Sequence, residues 1–411
     1  MAGNDGGWRL PIAQSNRTVD DAGPLVFVGG AGDFGGDGLI AHPGDLSAQI
    51  QGAMANVAAD LGQRGCTLAD VVRLKAFYKS DGSRDEWTVL AALRRAFDAD
   101  LAPAITTHPV PQQAFDGQEI QIQAMATKGW RDGPNVRSVE APVPDRVADL
   151  FDRPRYTIGL RAGEFIAVPG RTAIDDQGNP LAEGQAIEQT DIVMSSMEET
   201  LAELGASYQD AIKKEGYYFG VTMDEWAPMA ARRASYFREP APPATVVPCQ
   251  VLYPEGCVTK VEVLAMRDEW NGFDKYIPRE DRWPERVWDW PIPVPYRQGA
   301  RLRDMIWTGG QVPFEEAMNQ GKAMHAGDPL EQARFTMRYV NDIVEAYGKT
   351  TKDYALLVCY YTSDGSQAAT EAFVSAVADT IYGELPPLTL VPQPMMHSDD
   401  VTVEIWGVAR G

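Results

Sequence analysis

Three glutamine–glycine pairs, each with the same spacing, dominate this sequence: Gln49 and Gly65, Gln189 and Gly205, Gln332 and Gly348. An aspartate follows each glycine by the same short interval (Asp70, Asp210, Asp353), and an aromatic pair closes the next apolar run (Phe77-Tyr78, Tyr217-Tyr218, Tyr360-Tyr361). The step between copies is 140 residues (49 to 189) and then 143 (189 to 332). Solenoid repeats have periods of roughly 20–50 residues. A step this long is a whole small domain, present three times in one chain of 411 residues.

Each copy has the same order. Apolar strands run into a glycine turn at Leu25–Gly30, Phe165–Gly170 and Met305–Gly310. Apolar residues at helical spacing follow, as in Met54, Val57, Ala58 and Leu61. Asp45 and Asp328 are placed to cap their helices, and Gly65, Gly205 and Gly348 to end them. Next come a buried strand (Val71–Tyr78, Ala211–Phe219, Ala355–Thr362) and a second helix (Val89–Phe97, Trp226–Phe237, Ala368–Ile381). A proline–threonine strand and an alternating strand (Glu119–Ala126, Thr259–Met266, Val401–Ala409) complete the copy; the alternation predicts one core face. Two helices over one side of a sheet give an α+β fold. The expected domains are 1–133, 134–273 and 274–411. The connections, 129–155 and the Trp- and Pro-rich 268–295, read as linkers; Trp270, Trp283, Trp288 and Trp290 either pin domains together or wall a pocket.

The formal net charge of −21 argues against nucleic acid and anionic membrane surfaces as partners, because phosphate contact needs a basic stripe. No run approaches the roughly 18–20 apolar residues that span a bilayer. The first residues lack the pattern of a secretory signal, so a cytoplasmic protein is expected. Cys66, Cys249, Cys257 and Cys359 have no metal-type spacing and read as free thiols, although Cys249 and Cys257 are close enough in sequence to be linked. No metal and no cofactor is expected. Gly30-Ala31-Gly32-Asp33-Phe34-Gly35 satisfies GxGxxG, but Gly36-Asp37-Gly38 continues as loop where a dinucleotide fold needs a helix.

Several marks come together in the third copy: Pro295-Tyr296-Arg297-Gln298-Gly299, Thr308-Gly309-Gly310-Gln311, Gln332-Ala333-Arg334 through Asn341 to Gly348, Pro387-Leu388-Thr389 and Val403-Glu404-Ile405. In this order they resemble the Rid (YjgF/YER057c/UK114) family. The resemblance implies three chorismate-mutase-like domains forming an intramolecular pseudo-trimer, with a central β-barrel-like core, outer helices and three inter-domain clefts. A monomer is implied, and a dimer of such units is compatible with it. The family's best-known members hydrolyse enamines and imines to ketones and ammonia.

The family's arginine in its P-A-R strand corresponds here to Thr106, Thr245 and Thr389, and its late glutamate to Gln123, Leu264 and Trp406. The family tyrosine is kept as Tyr156 and Tyr296, with Asn16 in the first copy. Both the carboxylate clamp and the usual water-positioning acid are therefore missing. Arg171, one residue past a turn glycine, is either a replacement clamp at a cleft mouth or a loop arginine whose loss leaves folding untouched. His108 shares a strand face with Thr106, the expected cleft face, as a general acid–base or a structural histidine. Gln311 keeps the family identity and hydrogen-bonds both ways. The candidate catalytic residues are thus His108 and Arg171. Substrate would be bound by Thr106, Tyr156, Thr245, Tyr296, Gln311 and Thr389. Ring-opening amidohydrolases built from three Rid-like units use repeated Ser and Lys, and no Ser or Lys recurs here in all three copies at a cleft position. Two functions follow: a cofactor-independent hydrolase or deaminase of a small polar nitrogen compound in one cleft, or a non-catalytic small-molecule binder.

Overall fold

The computed structural model describes residues 16–97, 101–220, 223–270, 273–282, 284, 287, 294–314 and 322–411. The first domain runs β1 (Val19–Ala22), β2 (Leu25–Ala31), α1 (Leu46–Gln63), β3 (Val71–Lys79), α2 (Glu86–Arg94), β4 (Ala104–Val110) and β5 (Ile120–Ala126). The second runs β6 (Val136–Pro142), β7 (Arg155–Ala162), β8 (Phe165–Arg171), α3 (Ala186–Glu203), β9 (Ala211–Phe219), α4 (Met223–Ala234), β10 (Ala244–Cys249), β11 (Thr259–Trp270) and β12 (Phe273–Tyr276). The third runs β13 (Glu280–Asp281), β14 (Gly299–Leu302), β15 (Met305–Thr308), α5 (Pro329–Ala346), β16 (Tyr354–Thr362), α6 (Gln367–Ala378), β17 (Leu388–Gln393) and β18 (Val403–Arg410).

The sheets order as β1-β2-β5-β3-β4, β6-β7-β8-β11-β9-β10 and β13-β14-β15-β18-β16-β17, with β12 added on β11. In each, the strand after the first helix pairs in parallel with the strand after the second, and the other pairings are antiparallel. The segment expected as the first linker contains β6, which pairs with β7 and extends the second sheet. Much of the second connection is also strand, since β12 pairs with β11 and β13 with β14. Trp283, Trp288 and Trp290 lie outside the described residues.

The repeated residues hold the fold. Gln49 Nε2 donates to His42 O and Gly117 O, while its Oε1 accepts from Glu119 N. Gln189 ties Gly256 and Val258 to its helix, and Gln332 ties Asp400 and Thr402. One buried amide per copy thus satisfies the backbone groups where the long helix meets the loop before the last strand. Asp70, Asp210 and Asp353 each accept the backbone N–H of the Thr67, Ser207 or Thr350 that opens a short turn. Asp45 and Asp328 cap α1 and α5 as expected. Gly65, Gly205 and Gly348 take φ of 68°, 76° and 76°, where a Cβ would be strained.

The helices cover the outer faces of the sheets, and the inner faces meet each other. The expected barrel-like centre is not a barrel. Three separate sheets pack together, and no hydrogen-bonded barrel closes among the described residues. Backbone and side-chain bonds cross all three seams: Gly170 N to Thr106 Oγ1 (2.8 Å), Gly310 N to Ala244 O (2.8 Å) and Arg17 N to Leu385 O (2.8 Å). Phe77, Tyr217 and Tyr360, the first members of the three aromatic pairs, meet at the centre; the two tyrosine hydroxyls lie 2.9 Å apart. The alternating strands are consequently buried on both faces, not one. All four cysteines are buried and free. Among the described residues no helix is long and apolar enough to cross a membrane.

Candidate functional site

At the seam between the first and second domains lies a cavity of about 250 Å³. The first domain supplies Glu86 from the start of α2 and Ile105 and Thr107 from β4; the second supplies Tyr156 and Arg171 from β7 and β8, with Ser196 from α3. Tyr156 and Arg171, two of the residues picked out by sequence, therefore share one cavity. Arg171 is the last residue of β8 and partly buried, with its guanidinium tied down, and is not a loop arginine. Its Nη1 donates to Ser196 O (3.1 Å) and Ser196 Oγ (2.6 Å), and its Nη2 to Ile158 O (2.6 Å) and Thr200 Oγ1 (2.8 Å). These bonds fix the guanidinium but none carries negative charge, and burial pulls its pKa down to about 10. A cation so held remains available to an electron-rich ligand. Burial pushes the Tyr156 phenol up to about 12, so it is a hydrogen-bond donor at neutral pH.

Glu86 brings the carboxylate that the closing strands lack. Its Oε1 accepts from Lys260 Nζ (2.7 Å) and its Oε2 from Tyr78 Oη (3.3 Å). Lys260 also donates to Thr107 O (2.5 Å), joining α2, β4 and β11 at the cavity wall. Sequence reasoning passed over Glu86, Thr107 and Lys260 because none recurs in all three copies and none belongs to a known motif.

The three threonines act elsewhere. Thr106 Oγ1 accepts from Gly170 N, Thr245 Oγ1 from Lys213 Nζ (2.7 Å), and Thr389 Oγ1 from Gln123 Nε2 (2.9 Å). Each is buried against the glycine turn of the next domain, with Gly170, Gly310 and Gly30 closest to them in turn. Alternation puts the cleft-facing residues of β4 one register away, at Ile105 and Thr107, and those of β10 at Ala244 and Val246. No arginine stands in either register, so the strand clamp is absent on both readings.

His108 follows Thr106 onto the inner face and does not line the cavity. It is fully buried, stacks on Tyr217 (3.6 Å between ring centres), and neither ring nitrogen has a hydrogen-bond partner. Burial, then Lys260 and Lys75, hold it far below the usual histidine pKa, so it is neutral. Opposite Tyr217 and Tyr360 the other copies carry Val247 and Val391, so His108 fills a valine's place. Gln311 donates to Gln298 Oε1 (2.6 Å) and Gly309 O, bracing the glycine turn of its own domain. Tyr296 lies at the seam between the second and third domains, in a smaller cavity with Lys214 and Arg233. Among the described residues no cluster of histidine, cysteine and carboxylates could hold a metal.

A family model described as Endoribonuclease L-PSP matches the chain three times, over residues 9–128, 151–266 and 291–410. The chain belongs to the Rid (YjgF/YER057c/UK114) family. The Rid relatives include a RutC family protein of Pyrococcus abyssi, 28% identical over 113 residues, covering 28% of this chain and 87% of the relative. The YjgF gene product of E. coli is 26% identical over 32% of this chain and 98% of that one, with a TM-score of 0.27. A chorismatase covers 83% of this chain and 93% of its own, with a TM-score of 0.55 and 12% identity, a likeness of fold. The three Rid domains and their seams are thus the frame in which the cavity has to be read. Membership supports small-molecule binding or hydrolase-type chemistry in general.

Proposed function

We propose that the chain is a cofactor-independent C–N hydrolase of the deaminase type. Its substrate is a small polar nitrogen compound, an imine, enamine or amide, held between the first and second domains. The observation that carries this reading is the convergence of Arg171, Tyr156 and Glu86 on one 250 Å³ cavity. Arg171 holds the electron-rich head group, the Tyr156 hydroxyl donates to the heteroatom that gains charge, and Glu86 takes the proton of the attacking water. The neighbouring Lys260 ammonium keeps Glu86 oriented for that transfer. The first two domains of one chain supply the cavity's polar groups, which fits a single chain as the working unit, and its free thiols suit a reducing cytoplasm. RNA, which the family description names, suits a net charge of −21 poorly.

A second reading, a non-catalytic binder, is favoured by one detail: both Glu86 oxygens already accept hydrogen bonds within the protein. Ammonia release from a panel of N-unsubstituted enamines and imines and of primary amides separates the two. The hydrolase releases ammonia, and Glu86→Gln slows it by roughly 10²–10⁴-fold, the range for a positioned acid–base group. Binding without any ammonia release would leave the binder standing.

A further inference from the structure

The seam between the second and third domains contains groups that the proposed reaction does not use. A cavity of about 30 Å³ there is lined by Lys214, Arg233, Tyr296 and Glu404, among apolar neighbours. Arg233, from the end of α4, is fully buried, and none of its three guanidinium nitrogens has a hydrogen-bond partner. The Tyr296 hydroxyl has none either. Lys214 is buried beside them, its Nζ 5.0 Å from the centre of the Tyr296 ring. Glu404 is engaged by His397 at 2.7 Å and does not hydrogen-bond Arg233.

Buried polar groups are almost always partnered, and a buried charge without one is among the costliest features a fold can keep. Guanidinium, amine and phenol supply donors, so the missing partner is an acceptor; burial, then Arg233 and Lys213, push the Lys214 amine well below the usual lysine pKa, so it is the Arg233 cation that makes the partner an anion. Burial lowers the Arg233 pKa to about 10, which leaves it charged at neutral pH. The volume admits only a compact species, since a single water needs about 10–15 Å³ of such space. At the first seam, by contrast, Glu215 and Glu262 answer Arg73 and Lys75 within the protein. Where Lys214 stands, the other copies carry Leu74 and Leu357, so this donor is particular to one seam.

We propose that the seam between the second and third domains binds a compact monoanion, the size of chloride or a single carboxylate group, through Arg233, Lys214 and Tyr296. The site is separate from the 250 Å³ cavity and does not rest on the reaction assigned there. The anion completes the seam as the carboxylates do at its counterpart.

Thermal unfolding of the full chain tests this at fixed ionic strength, with sodium gluconate replaced stepwise by sodium chloride or sodium acetate. The melting temperature of the wild-type chain is expected to rise by several degrees and to saturate, as ligand linkage requires. Arg233→Met is expected to abolish the rise and, in gluconate alone, to melt no lower than wild type. Equal melting in all three salts, or a rise that survives in Arg233→Met, would overturn the proposal. Should Arg233→Met not fold, Lys214→Met decides: half-saturation at tenfold or more anion supports the site, and an unchanged midpoint overturns it.

Discussion

The seam between the first and second domains and the seam between the second and third are built from the same strands, yet they solve the burial of charge in opposite ways. In the first, Arg73 donates to Glu262 at 2.7 and 3.0 Å and to Glu215 at 3.1 Å, and Lys75 reaches both carboxylates at 2.9 and 3.0 Å. In the second, Lys213 rests on the neutral oxygens of Thr245 and Thr308, 4.1 Å from the Trp406 ring, and Arg233 has no partner. The first seam encloses an open 250 Å³ cavity; the second has closed to 30 Å³. Three identical subunits could not differ in this way. In one chain each seam drifts alone, and the difference marks where ligands of different size are accommodated.

The largest effect that can sharpen this contrast is expected at Glu262. Removing one member of a buried ion pair costs about 3–5 kcal/mol, so Glu262→Gln should lower the urea midpoint severely. Burial pushes the Glu262 carboxyl up, but Arg73 and Lys75 more than reverse this and hold it at about 2. A carboxyl whose folded pKa lies below its unfolded value stabilises the fold above that unfolded value. Wild-type stability should therefore fall as pH drops from about 4.5 towards 2, and the fall should shrink in Glu262→Gln.

Arg171→Ala should come next. It leaves the Ile158 carbonyl without its Arg171 donor, at a cost of about 1–3 kcal/mol if that carbonyl stays dry, while Ser196 O keeps the Thr200 hydroxyl as a donor. The loss of folding stability contradicts what a loop arginine would show. A charge-assisted clamp adds a roughly ten- to hundredfold loss of affinity for an anionic ligand, measurable by calorimetry, with Arg171→Lys restoring only part. Unchanged affinity would make Arg171 a tether and nothing more.

Lys213 gives a smaller and oppositely placed signature. Burial pulls it down to about 7. A lysine whose folded pKa lies below its unfolded value binds more protons unfolded, so stability rises with pH between about 7 and 10.5, by up to about 1.4 kcal/mol per unit. Lys213→Met should flatten that rise in denaturant titrations. Smallest of all, Thr106→Val strips the acceptor from Gly170 N and should cost about 1 kcal/mol, without altering ligand chemistry. A selective loss of turnover would return the threonines to the site.

Repetition made the fold legible. Gln49, Gln189 and Gln332 satisfy backbone, the three aspartates cap turns, and Phe77, Tyr217 and Tyr360 build the centre, so threefold constraint preserved them. The same logic hid the site. Arg171 and Tyr156 were readable only as departures from, or remnants of, a family pattern. Glu86 and Arg233 sit on the second helices, whose starts the apolar spacing places about three residues late in the first two copies. The pairing of Thr106 and His108 with the cleft failed because both faces of β4 are buried, and alternation alone does not say which one meets a ligand. A lysine at a position that is leucine in the other copies, as at Lys214, was the available signal, and it depends on aligning the copies residue by residue.

The central claim is that substrate turnover is confined to the seam of the first and second domains, the second seam admitting only a compact anion. A crystallographic screen of the full chain with small imines, cyclic amides and amino acids tests it most directly. The account predicts density for one such compound per chain, in contact with Arg171 and Tyr156 and within reach of Glu86. Equal occupancy of all three seams, or compounds bound only against Tyr296 and Arg233 while the larger cavity stays empty, would contradict it.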